Sequence, residues 1–150
     1  HKSYSTCRVT FSKFLSSEPS TMFVCGIRKI MREYDSFQKG STVISFGKNI
    51  EIRIPDEDIG DKGLLVDFEG IALVVRDSYN PEYRSIKGLG GNHIFRIPVT
   101  SDRSFEYMIM GAWSQGMVNT TADEFKEYVT TEALKYNYPL NIQAGELEEK

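Results

Sequence analysis

Cysteine is scarce: Cys7 and Cys25 are the only two in 150 residues. A disulfide framework therefore cannot hold this fold, and their spacing fits no zinc knuckle. Two small buried side chains and one bridge both remain compatible with the pattern. Histidine is scarcer still, since His93 is the only one besides His1, and a histidine-rich metal centre is excluded. The longest apolar run, Ile71 through Val75, is five residues, against about 20 for a membrane-spanning helix. Basic residues are not in excess, with 18 Lys and Arg against 21 Asp and Glu and a net charge of −3. That balance lacks the electrostatic footprint of nucleic-acid binding. The chain shows no leader, yet it opens on His1 and not Met, so an N-terminal part of a longer product is expected.

What is present is alternation. The stretch 60–76 reads GDKGLLVDFEGIALVVR and holds the longest run of Leu, Ile, Val and Phe in the sequence. Its β-branched run predicts a central strand buried on both faces, or two strands meeting at a bulge at Gly70. Residues 104–115 are apolar on both faces and predict a second central strand. Residues 3–14 and 21–30 alternate around a turn cluster at 16–20 and predict an antiparallel hairpin. Segments 42–46 and 50–54 predict two short strands around Gly47, and 93–99 predicts another. Residues 33–40 and 77–92 read as polar or glycine-rich loops, the second long enough to suggest function.

One helix is expected. Thr121-Ala122-Asp123-Glu124 has the form of a capping box, and Phe125, Tyr128, Val129, Ala133 and Tyr136 follow at helical spacing. Asn137 and Pro139 end it. Together these elements predict an all-β fold with one helix: an antiparallel β-sandwich carrying a C-terminal α-helix. It occupies residues 1–140 as a single domain and is followed by an acidic tail at 141–150.

The order of short motifs carries a resemblance. It runs Phe23-Val24-Cys25-Gly26-Ile27-Arg28, Ser45-Phe46-Gly47, Gly63-Leu64-Leu65-Val66, Gly70-Ile71-Ala72-Leu73-Val74-Val75, Gly111-Ala112-Trp113, and Thr121 opening a helix. This resembles the C-terminal part of a family of unknown function, bacterial proteins encoded among polysaccharide-utilisation genes and similar to the galactose-mutarotase-like supersandwich. The resemblance implies a periplasmic or extracellular protein that binds an oligosaccharide or polysaccharide fragment. It also implies that this domain works beside an N-terminal domain of the same protein. It carries no catalytic motif over to these residues.

Candidate residues follow from chemistry. Asp67 and Glu69 lie two apart and share a strand face, so they are a candidate carboxylate pair for acid–base work on sugars, against an outward-facing solvated pair. His93, after the glycine-rich loop, is a candidate general acid, base or ligand, against a structural imidazole. Trp113 is a candidate stacking platform for a pyranose, with Tyr79, Tyr83 and Arg84 completing a substrate site, against a core tryptophan. Asp56, Asp58 and Asp61 have the oxygen density of a calcium loop without its full register, and calcium is the one cofactor they suggest. Three readings stand: a carbohydrate-binding domain, the catalytic part of an enzyme acting on acidic sugars, and a structural or interaction domain with no site of its own.

Overall fold

The computed structural model describes residues 3–12, 21–30, 32–52, 64–88, 90–99 and 104–140. Among the described residues eight strands precede one helix: β1 Tyr4–Thr10, β2 Met22–Arg28, β3 Glu33–Lys39, β4 Thr42–Ile52, β5 Leu64–Val75, β6 Glu82–Ile86, β7 Asn92–Pro98, β8 Ser104–Trp113 and α1 Ala122–Asn137. They form a five-stranded sheet ordered β1-β8-β5-β4-β3 and a three-stranded sheet ordered β2-β7-β6. Every pairing is antiparallel. No helix among the described residues is long and apolar enough to cross a membrane.

Alternation along β5 sets the layers. Phe68, Ala72 and Val74 point to one face and pack with Phe125, Val129 and Ala133 of α1. Leu73 and Val75 point to the other and pack with Cys25, Ile27, Phe95 and Ile97 of the small sheet. Helix, large sheet and small sheet are thus stacked in three layers, with two apolar cores sharing the central strands. The expected capping box is present: the Glu124 amide donates to Thr121 Oγ1 at 3.3 Å, and Glu124 Oε2 accepts from the Thr121 amide at 3.3 Å.

Several expectations need correction. β1 and β2 do not form a hairpin, because β1 pairs with β8 and β2 with β7, in different sheets. Alternation specifies a buried face but not a partner strand. The polar segment read as a loop at 33–40 contains β3, an edge strand whose Phe37 packs against the helix-side core. An edge strand half exposed to water needs few apolar residues. The two short strands expected over 42–46 and 50–54 are one strand among the described residues: β4 runs from Thr42 to Ile52, with register shifts at Gly47/Asn49 and Ile50/Ile52. Residues 77–92 are not structureless either, since they hold a 3₁₀ turn at Asp77–Tyr79 and β6. The inward alternation read over Ile50, Ile52 and Ile54, the turn at 101–103 and the tail at 141–150 lie outside the described residues or side chains.

Gly70 is not a bend. Its pairing is continuous, with Phe46 on one side and Ala112 on the other. A Cβ built at Gly70 would lie 2.4 Å from Phe125 Cδ1, so the bare backbone is what lets the helix ring seat on the sheet. Two residues away in space, Gly111 faces the opposite side, and a Cβ there meets only the Gly70 carbonyl oxygen at 3.9 Å. Urea denaturation should therefore separate the two glycines. Gly70→Ala is expected to lose about 1–3 kcal/mol through overpacking, while Gly111→Ala stays within about 0.5 kcal/mol of wild type.

Candidate functional site

Two groupings collect the candidate residues, and they do not meet. The first is centred on His93, which is 1% exposed on the inner face of β7. Its Nδ1 lies 2.7 Å from the Tyr83 hydroxyl and its Nε2 lies 2.8 Å from Glu33 Oε2. The same Glu33 oxygen accepts a short hydrogen bond from the Ser45 hydroxyl, and Lys29 Nζ lies 3.5 Å from Oε1. Ser45 in turn accepts from the Ile30 amide at 3.2 Å. The chain Tyr83–His93–Glu33–Ser45 therefore joins β6 and β7 of the small sheet to β3 and β4 of the large one. Hydroxyl, imidazole and carboxylate follow one another in an order that can move a proton. Both ring nitrogens are engaged, however, and the ring is sealed between the layers, so a substrate atom reaches it only if the sheets part.

Burial raises the Glu33 carboxyl, but hydrogen bonds from Ser45 and His93, and then the positive charges of His93 and Lys29, outweigh it. The group is held below its ordinary 4.5. Burial pushes the Cys25 thiol up to about 12, which keeps it protonated and unsuited to nucleophilic attack. Both cysteines are free thiols.

The second grouping is a shelf on the large sheet. Glu69 pairs with Trp113 and Ile71 with Gly111, so these four side-chain positions face the same way on adjacent rungs. They face the side on which the small sheet packs, but Gly111 is exposed and Ile71, Glu69 and Trp113 are only half-buried there. The resulting open cavity has a volume of about 550 Å³ and is bordered by Ser3, Ser5 and Ile109 as well. Trp113 sits beside its own turn: the Gly116 amide donates to its carbonyl oxygen at 2.9 Å. Asp67 is exposed on the same face of β5, and Phe68 is buried on the other, as their spacing implied.

The remaining candidates are dispersed. Tyr79 packs edge-on against Phe105, with ring centroids 5.6 Å apart, and its hydroxyl accepts from the Glu106 amide. Tyr83 belongs to the His93 chain. Arg84 is exposed and ion-paired with Glu82. Asp56, Asp58 and Asp61 lie outside the described residues. Among the described residues no group of three or more His, Cys, Asp or Glu side chains is placed to hold a metal ion.

The sequence reading missed Glu33, Ser45 and Lys29 in the first grouping and Gly111 and Ser5 in the second. Ser45 carried a signal, a lone hydroxyl inside the apolar Val43-Ile44-Ser45-Phe46, because a buried polar group needs a partner. Glu33 carried none, since nothing local marks a carboxylate whose partner is 60 residues away. No family model, curated protein or solved structure matches this chain.

The lowered Glu33 value fixes a sign for pH dependence. A carboxyl with a depressed folded value contributes stability that is present above its ordinary 4.5 and is lost as pH falls through the folded value. Glu33→Gln should remove about 1–2 kcal/mol at neutral pH and flatten the acid limb of stability below that point. Denaturant titrations of wild type and variant across the acid range check this, and parallel acid limbs would contradict it.

Proposed function

We propose that this domain binds an oligosaccharide along the open shelf of its large sheet, with Trp113 as the stacking ring. The observation that carries the reading is the exposed, side-chain-free floor at Gly111 beside half-buried Trp113. A pyranose has apolar C–H faces that pack on an indole and hydroxyl edges that need polar partners. Ile71 and Ile109 supply apolar floor, and Ser5 and the Glu69 carboxylate supply polar groups around it. The resemblance to proteins encoded among polysaccharide-utilisation genes supports a sugar over other ligands, and the proposal takes the periplasm or the cell exterior as its setting.

Binding is favoured over turnover by the placement of the carboxylates. Two-carboxylate glycoside hydrolysis needs groups on either side of the scissile bond, about 5–9.5 Å apart. Asp67 and Glu69 project from one face of one strand, and His93 is enclosed in the other grouping. No described acid or base stands across the shelf from them.

The test uses two variants that differ in what they remove. Trp113→Ala deletes the ring and should weaken binding about tenfold or more. Gly111→Val places a β-branched side chain on the shelf at a strand position with room for it, so melting is unchanged or raised while binding is lost. A glycan array followed by calorimetry with neutral β-linked oligosaccharides gives the measurement. Wild-type affinity in both variants would overturn the shelf, and an array with no bound glycan would overturn the sugar.

A further inference from the structure

We propose a second binding site, for a ligand carrying a carboxylate or sulfate group, at the Ser104–Glu106 end of β8, away from the shelf. Arg8 and Arg76 converge there on one acid: Arg8 Nη2 lies 2.9 Å from Glu106 Oε2 and Arg76 Nη2 lies 2.8 Å from Glu106 Oε1. Two guanidinium groups against one carboxylate leave an excess positive charge, in a chain whose net charge is −3. Arg76 is also fixed by a short hydrogen bond to the Tyr136 carbonyl oxygen and lies 3.7 Å above the Tyr136 ring. Its plane is therefore set before a ligand arrives, and the ordering cost of binding is reduced.

The donor inventory points to an acceptor-rich ligand. Each guanidinium has five N–H groups, and these contacts use two on Arg76 and one on Arg8. The Tyr79 hydroxyl accepts the Glu106 amide at 3.1 Å, which leaves its own proton to donate. A cavity of about 370 Å³ is lined by Arg8, Arg76, Tyr79, Ser104 and Glu106, all of them polar. Glu106, its single carboxylate, is held below its ordinary range by hydrogen bonds from Arg76 and then Arg8, so its charge is already matched. The volume lies at the low end of ligand pockets, about 300–1,000 Å³, and suits an acidic monosaccharide unit or a smaller anion. Forked guanidinium donors match the paired oxygens of such groups.

The experiment titrates the whole chain with sodium sulfate and with sodium D-glucuronate at constant ionic strength set by sodium chloride, read by calorimetry and thermal shift. Saturable binding of either anion beyond chloride is expected, and which of the two binds assigns the group as sulfate or carboxylate. Arg8 is 70% exposed, so Arg8→Gln should keep the wild-type melting temperature while weakening binding about tenfold or more. Tyr79→Phe keeps the ring against Phe105 and should weaken binding severalfold. Trp113→Ala should leave this binding unchanged, which separates it from the shelf. No saturation by either anion, or wild-type affinity in both Arg8→Gln and Tyr79→Phe, would overturn the proposal.

Discussion

Burial of β5 on both faces is the constraint on which the other layers depend. Ala72 and Val74 commit one face to the helix, and Leu73 and Val75 commit the other to the small sheet. A residue set of this kind cannot be satisfied by a two-layer fold, because one apolar face would remain in water. Apolar surface left in water costs about 25 cal/mol per Å², and a domain's net stability is only about 5–15 kcal/mol, so each cover matters to the whole. Gly70 belongs to the same constraint. Only a residue without a side chain lets Phe125 close over the strand, so the position of α1 rests on it.

Polar groups then decide how the layers are joined. The small sheet meets the large one through apolar packing around Phe95, Phe105 and Ile97, and through the buried line of Tyr83, His93, Glu33 and Ser45. Apolar contacts tolerate sliding, whereas a chain of hydrogen bonds between defined atoms does not. The line therefore sets the register of the two sheets, and leaving any member unpaired costs the desolvation of the rest. Its composition resembles a catalytic relay, yet enclosure converts it into a clasp. Chemistry available to a ligand lies instead where the layers leave the large sheet open, at the Gly111–Trp113 end, and where two arginines meet Glu106.

Legibility followed locality. The helix, its cap and its end were readable because capping and helical spacing act within a few residues: Thr121, Glu124 and Phe125 specify one another. The two central strands were readable because β5 and β8 are apolar on both faces. Strand β3 was not, since an edge strand with polar residues such as Asp35, Ser36 and Gln38 carries no periodic apolar signal. Strand β6 was masked by the Pro81 and Gly88 that flank it. The partner of β1 was misread because its alternation suits β8 as well as it suits β2. At the site, the shared face of Asp67 and Glu69 followed from strand period alone, while the pairing of Glu69 with Trp113 required the β5–β8 register.

Composition and spacing by themselves determined the class of this protein: a mostly antiparallel β fold with one capped C-terminal helix, without a disulfide scaffold or a membrane-spanning helix among the described residues. These properties sum over local choices of residue type, so they survive without knowledge of who touches whom. Tertiary structure alone decided which strands pair, that Gly70 serves the helix while Gly111 opens a shelf, and that His93 is enclosed while Trp113 is half open. Those outcomes depend on contacts between residues tens of positions apart, where an exchange of partners leaves every local preference unchanged.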